Sequence, residues 1–364
     1  MVSKIIATGS CVPDICLTNN ALAGWMETSD EWIQSRTGIA ARRLAAMPAR
    51  DQEGRVRTQY GANPLFELTR TAAERALKAA EEKGLSREEI GLILVATSSP
   101  DELFPALACR LQSALQLPNA AGYDLVLACT GFLAALQAAD GYIRAGLYRN
   151  VLVIGGEVLS RFLNWEDRDT AILFGDGAGA VVVSGDPRFN PEGKSGMLCS
   201  VLHADGSGGD ALTGRAMYWN ERTPAALEMD GRAVFSFAVR RVPEVIREVL
   251  YREAEKRSAA ERSSAERAST EAASAEDAAL PVLEPDCYVL HQANYRIIES
   301  IARKLKKPLS MFPHNLEHYG NTSAGSIPIL LDELNREGKL QEGELLCLAG
   351  FGAGLSYGAA LLRW

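Results

Sequence analysis

Apolar residues along the chain fall into short unbroken runs. KIIATG, GLILVATS, DLVLAC, NVLVIGG and AVVVSG lie in the first half, and CYVL, ELLCLAGFG and SYGAALLRW in the second. Runs of this kind, bounded by glycine or polar clusters, read as strands buried on both faces. Between them, apolar positions recur three and four apart, which predicts helices. TSDEWIQSR predicts a short helix capped by Thr28 or Ser29, and residues 65–83 a long one. Further helices are predicted after Pro105, over 131–145, over MDGRAVFSFAVRRVPEVIREVL (bent or entered near Pro243), over YRIIESIARKL and over 326–336. AILFGDGAGAVVVSG is read as two strands around a glycine turn. The alternation predicts an α/β fold. Each half carries a strand ending in a polar cluster with a helix behind it, so the chain divides into two similar α/β halves, 1–190 and 191–364.

Two segments break the rhythm. Residues 47–64 are polar and turn-rich and predict an exposed loop. Residues 252–281 form an Ala/Glu/Ser/Arg tract with almost no large apolar side chain. Such a tract cannot bury a face, so it is read as a flexible insert, the alternative being a helix extending into solvent.

Composition narrows the function classes. The chain has 364 residues, 47% of them hydrophobic, ample for a large core. A net charge of −8 argues against a nucleic-acid binder, while leaving room for a local basic patch that meets an acidic partner. No apolar run is long enough to span a bilayer, and MVSKIIATGSCVPD lacks the apolar segment and cleavage site of a signal peptide. A soluble cytoplasmic protein without a membrane partner is expected. The seven cysteines are scattered, with no CxxC pair, which indicates neither a disulfide framework nor a zinc site. His314 and His318 are four apart, but a proline precedes them and no third ligand is apparent, so no metal is expected. GDGAGA looks like a dinucleotide loop, but a strand follows where a helix should open.

The chemistry starts at DLVLACTGF, residues 124–132, where an apolar run stops at Cys129 and Thr-Gly-Phe opens a helix. A helix N-terminus presents unpaired N–H groups and partial positive charge, which favour a thiolate. Alone, a cysteine is more often a small core residue. Two more clusters change that reading. HQAN, 291–294, ends an apolar strand, and HYGNTSAG, 318–325, sets Asn321 in a turn before a helix. A histidine at a strand end is well placed for a cleft in an α/β fold.

Together with TSDEWIQSRTGI, DRDTAILFGDGAGA, HQANYRII, YGNTSAGSIP and GFGAGLSYGAALLRW, in that order, ACTGF resembles the 3-oxoacyl-[acyl-carrier-protein] synthase III family of the thiolase-like superfamily. The resemblance covers nearly the whole chain. It implies a thiolase-like fold in five layers, α-β-α-β-α, and a homodimer. It implies a decarboxylative condensation that initiates fatty acid synthesis, joining an acyl primer taken from acyl-CoA to malonyl-acyl carrier protein. Coenzyme A thioester is then a substrate, and no cofactor is needed. Cys129 matches the nucleophile, and His291 and Asn321 match the donors that hold the enolate. The backbone N–H groups of Cys129 and of Ala353, where some relatives have glycine, match the oxyanion site. Trp32 and Arg168 match residues flanking the adenine of coenzyme A, with Thr28 and Arg36 near its base or phosphates and Asn294 facing its pantetheine arm. Arg296 matches part of a basic patch for the carrier protein. Phe104 matches a residue that crosses the dimer interface and shapes the acyl pocket.

The primer remains open on these residues. One alternative keeps the fold and changes the primer or acceptor, as in specialised metabolism. Another is a cysteine hydrolase, because papain-like proteases also use Cys, His and Asn. ACTGF, however, lies mid-chain behind a buried strand and lacks their N-terminal signature. A non-catalytic scaffold is the third, and the presence of all three side chains speaks against it.

Overall fold

The computed structural model describes residues 2–214, 227–268, 280 and 283–364, and in it the buried runs build two sheets. The first contains β1 (Lys4–Cys11), β2 (Leu92–Ala96), β3 (Ala121–Leu125), β4 (Asn150–Val158) and β5 (Asp176–Ser184), in the order β1-β5-β4-β2-β3. β2 runs parallel to β3 and β4, and β5 runs antiparallel to β4 and β1. The second contains β6 (Gly196–Ala204), β7 (Cys287–Leu290), β8 (Leu345–Gly352) and β9 (Ser356–Arg363), in the order β6-β9-β8-β7. β7 is parallel to β8, and β9 is antiparallel to β8 and β6. In each half the first strand pairs with the last, and the last with the one before it. The second sheet thus repeats the first, lacking a counterpart of β3 among the described residues.

Among the described residues seven helices have eight or more residues, and all but the first cover these sheets: α1 (Asp30–Thr37), α2 (Pro64–Glu81), α3 (Leu107–Ala114), α4 (Gly131–Arg144), α5 (Gly231–Ala268), α6 (Tyr295–Leu305) and α7 (Ser326–Arg336). Side chains alternate across a strand, and the core divides accordingly. Leu94 and Val153 of the first sheet share one cluster with Val289 and Leu348 of the second, and Phe132 and Leu136 of α4 and Ile327 and Leu331 of α7 fill the space between. Ile93 and Ile154, on the other face of the first sheet, pack with α2 and α3 residues such as Ala72 and Leu111. Tyr288 and Cys347, on the other face of the second, pack with α5 and α6 residues such as Val245 and Ile301. The layers are therefore α2/α3, sheet, α4/α7, sheet, α5/α6. Burial on both faces explains why the strands read as continuous apolar runs.

Three segments differ from the sequence reading. GDGAGA is not a turn: residues 176–184 form one strand. A Cβ on residue 179 would lie 2.6 Å from the backbone N of Ile329, so the glycine there admits the close crossing of α7. The segment 47–64 is more than a loop, because Pro48–Arg50 and Val56–Thr58 pair as a short antiparallel hairpin. The tract from 252 onwards is helical through Ala268, as a continuation of α5, and the remaining residues of the expected insert lie outside the described residues apart from Leu280. Polar contacts that an apolar count misses hold this extension. Glu253 is buried and bonds to Lys256 and Arg257 on the next turn, and Lys256 Nζ donates to Leu198 O of β6 at 3.2 Å.

Candidate active site

Cys129 lies in a 3₁₀ turn, Ala128–Thr130, directly before α4. The Thr130 hydroxyl anchors that turn by donating to Leu127 O and by bonding to the Ser356 hydroxyl, 2.7 Å away in the other half. The end of β8 presses on the turn. A Cβ on residue 352 would sit 2.9 Å from Cys129 N and 3.1 Å from its Cβ, so this approach requires glycine. Two residues earlier on β8, a Cβ on residue 350 would lie 3.2 Å from the Cβ of His291. Positions two apart on a strand face the same way, about 7 Å from each other. β8 therefore brings the nucleophile candidate and the histidine to one face.

Asn321 enters from the turn before α7. Its N–H donates to Leu173 O, and its Oδ1 accepts from Ser323 N at 2.8 Å, which leaves the Nδ2 amide as the free donor end. The Ser323–Gly325 turn that follows packs against the Cys129 turn. The first half thus supplies Cys129 and the second His291 and Asn321, and the turns that precede α4 and α7 pack on each other.

The thiol does not behave as the helix junction suggested. Burial pushes Cys129 up to about 12; the Ser323 hydroxyl opposes this and the nearby Glu157 carboxylate adds to it. Desolvation of the anion outweighs the favourable helix terminus. Burial also pulls His291 down to about 3, so its ring is neutral at physiological pH. His291 Nδ1 lies 2.7 Å from Ser326 Oγ, and that oxygen also accepts from Gln292 N at 3.4 Å. With the hydroxyl proton directed to Nδ1, the ring proton resides on Nε2 and makes it a donor. Phe351 meets the ring edge-to-face at 5.4 Å.

Ser326, Ser323 and Glu157 escaped the sequence reading. Ser326 and Ser323 were visible only as small polar residues in YGNTSAGSIP. Glu157 had one usable signal: a carboxylate at the end of NVLVIGGE, inside a buried run, needs partners.

At the surface, Trp32 stands between two cations, with the Arg36 and Arg168 guanidinium carbons 4.6 and 4.9 Å from its ring centroid. Ser29 rather than Thr28 caps α1, accepting from Trp32 N, and the buried Thr28 Oγ1 has no partner among the described residues. Asn294 caps α6: its Oδ1 accepts from Arg296 N at 2.9 Å and its Nδ2 donates to Arg36 O at 3.1 Å. Both of its polar ends are thus engaged in joining α6 to the end of α1. Arg296 is exposed, and so is Phe104, at 83%. His314 is paired with Glu317 at 2.9 Å.

The same architecture recurs in the crystal structure of 3-oxoacyl-[acyl-carrier-protein] synthase III from Aquifex aeolicus VF5, with a TM-score of 0.80 and 38% identity over 100% of both chains. The fold is that of a thiolase-like condensing enzyme. Residues 123–206 match the family model for 3-oxoacyl-[acyl-carrier-protein (ACP)] synthase III, and residues 275–364 match the model for its C-terminal part. Beta-ketoacyl-[acyl-carrier-protein] synthase III of Microcystis aeruginosa is 41% identical over 372 aligned residues, covering 99% of this chain and 97% of its own. Beta-ketoacyl-[acyl-carrier-protein] synthase III 1 of Bacillus cereus is 41% identical over 360, covering 99% and 98%. The chain belongs to the 3-oxoacyl-[acyl-carrier-protein] synthase III family, and it is an acyltransferase of the condensing kind.

Proposed function

We propose that Cys129 takes an acyl group from acyl-CoA and that His291 and Asn321 then hold the enolate formed when malonyl-acyl carrier protein loses carbon dioxide. The burial that keeps His291 neutral, with its Nδ1 engaged by Ser326 Oγ, carries this reading. A decarboxylating malonyl thioester develops negative charge on its thioester oxygen, and two fixed donors stabilise that charge without a full proton transfer. The enolate carbon attacks the Cys129 thioester. The resulting oxyanion is held by the N–H groups of Cys129 and Ala353, and its collapse frees the sulfur and releases the 3-oxoacyl product. Alanine at 353 keeps its N–H, while the left-handed step falls on the next residue, Gly354, at φ 137.

In this reading Trp32 and Arg168 flank the adenine of coenzyme A, with Arg36 and Thr28 near its phosphates or base. Asn294 supports the pantetheine path by fixing α6 against Arg36, and Arg296 offers a charge to the acidic carrier protein. Trp32→Ala is expected to weaken coenzyme A binding roughly tenfold, the scale of one stacking or cation–π contact, with little change in Tm. Isothermal titration checks this, and unchanged affinity would remove the clamp.

β3 is an open sheet edge, and Tyr123, Val126, Leu103 and Phe104 on and near it are exposed. Unpaired apolar edges are a liability in a monomer. We assign this edge to a homodimer contact that carries Phe104 towards the partner's acyl pocket. Val126→Arg is expected to shift the protein to monomer in light scattering and to reduce condensation with it. Among the described residues no helix is long and apolar enough to cross a membrane. We place the enzyme in the cytoplasm, with its thioester substrates.

Incubation with coenzyme A thioesters of graded length and branching tests the whole reading. Intact mass should rise by one acyl group, mapped by peptide analysis to Cys129, and the yields rank the primers. An adduct elsewhere, or none from any thioester, would overturn it.

A further inference from the structure

Glu157 is 0% exposed, at the penultimate position of β4, and no lysine or arginine pairs with it among the described residues. Its carboxyl is held by donors alone: Thr97 Oγ1 at 3.2 Å, Ser98 N at 3.1 Å, Ser99 Oγ at 2.5 Å and Ser323 Oγ at 3.3 Å. The turn that carries Ser323 packs directly on the Cys129 turn, and the Ser323 side chain acts on the thiol in the direction that favours the thiolate. Ser323 occupies the left-handed region at φ 49, a costly conformation for a residue with a side chain, and it sits two positions after Asn321. One side chain therefore acts on both the buried thiol and the buried carboxyl.

We propose that Glu157 is the proton acceptor for Cys129, acting through Ser323, an inference that rests on Cys129 being the nucleophile. As the sulfur attacks the carbonyl carbon of an acyl thioester, its proton passes to Ser323 Oγ and the Ser323 proton passes to the Glu157 carboxylate. The S–C bond to Cys129 forms, the S–C bond to coenzyme A breaks, and the departing thiolate takes a proton from water. When the enolate later attacks, the bond to Cys129 breaks, and the freed thiolate regains its proton from Glu157 by the reverse path. Because the proton moves as the sulfur attacks, Glu157 and Cys129 never carry negative charge together, which matters because the carboxylate disfavours a second anion at Cys129. His291 is left free to donate, since its Nδ1 is occupied by Ser326.

Burial raises Glu157 to about 7, with the hydroxyls of Ser99, Thr97 and Ser323 and the N–H of Ser98 drawing it back. The groups that face it come from the loop after β2, from the Ser323 turn and from Cys129, and across the ladder it meets Gly177. Arg161, nearby in sequence, is engaged by Asp101, Ser99 O and Pro100 O, and Asp176 by Ser160 and Ala45 N. The accepting form is the carboxylate, so Cys129 acylation should rise with pH through about 7 and then level.

Single-turnover acylation by acetyl-CoA, read as intact mass from about pH 5.5 to 9.5, tests this on wild type, Glu157→Gln and Ser323→Ala. Both variants should acylate about 100-fold more slowly, the scale of lost general-base assistance, and both should lose the inflection near 7. Iodoacetamide alkylation of Cys129 should change its pH profile in the same way. If Glu157→Gln does not fold, as judged by circular dichroism, Ser323→Ala decides alone. Folded variants that keep the wild-type inflection, whether or not they are slower, overturn the relay and leave the nucleophile standing. A wild type that gains no acyl group at Cys129 overturns both.

Discussion

Cys129→Ala is expected to abolish acyl uptake while leaving decarboxylation of a malonyl thioester measurable. Alanine removes the one atom that forms the covalent intermediate, and the rest of the site contains no substitute nucleophile in the same place. It keeps the Cβ that packs on Gly352 and the backbone N–H of the oxyanion site, so the turn should hold. His291 and Asn321 come from the other half and from different elements, and the variant leaves their donor atoms in place. Carbon dioxide release without 3-oxoacyl product is the expected signature, measured beside intact mass after exposure to acyl-CoA. Retained acylation in the variant would move the nucleophile to another residue and with it the site.

The complementary result is expected for His291→Ala: acylation within a few-fold of wild type, and condensation reduced by about 10²–10³, the effect of removing one preorganised oxyanion donor. With the proposed roles the two half-reactions separate, because acylation would develop charge at the Cys129 and Ala353 N–H groups and decarboxylation on the malonyl oxygen. The sign of the pH dependence follows from burial. His291 is held down at about 3, so it stays neutral across the physiological range, and an inflection near 7 in condensation by acylated wild type should belong to Glu157 and vanish in Glu157→Gln. Mass spectrometry of the acyl-enzyme and quantitation of the 3-oxoacyl product check both parts. Equal losses in the two half-reactions would mean that His291 also serves the thiol.

The sequence carried much of this site, for physical reasons that can be named. A strand buried on both faces leaves a continuous apolar run, so most sheet strands were legible before their pairing was known. His291 stands where such a run ends, whereas the run before Cys129 belongs to the exposed edge strand β3 and is not the buried strand the sequence suggested. Depth was not legible. ACTGF shows a helix terminus but not the burial that raises the Cys129 thiol. Partners drawn from distant segments were equally invisible: Ser326 on His291, and Thr97, Ser99 and Ser323 on Glu157, lie 35 or more residues from the groups they serve. GDGAGA misled because glycine serves both turns and close crossings, and only the position of α7 distinguishes the two. The tract after 252 misled because helices can be held by ion pairs as well as by an apolar stripe.

The glycine contact that seats Cys129 has a consequence for how such an enzyme can change. Gly352 meets the nucleophile turn, and α7 crosses β5 at Gly179, both at distances that leave no room for a methyl group. A drifting sequence finds almost no neutral steps there, since any added carbon must displace backbone from the other half. Trp32, Arg36, Arg168, Arg296 and Phe104 lie at the surface, all but Trp32 exposed, where substitutions cost little stability. New primers and new carriers are therefore accessible by gradual variation of the surface, whereas the condensation geometry is inherited whole or lost.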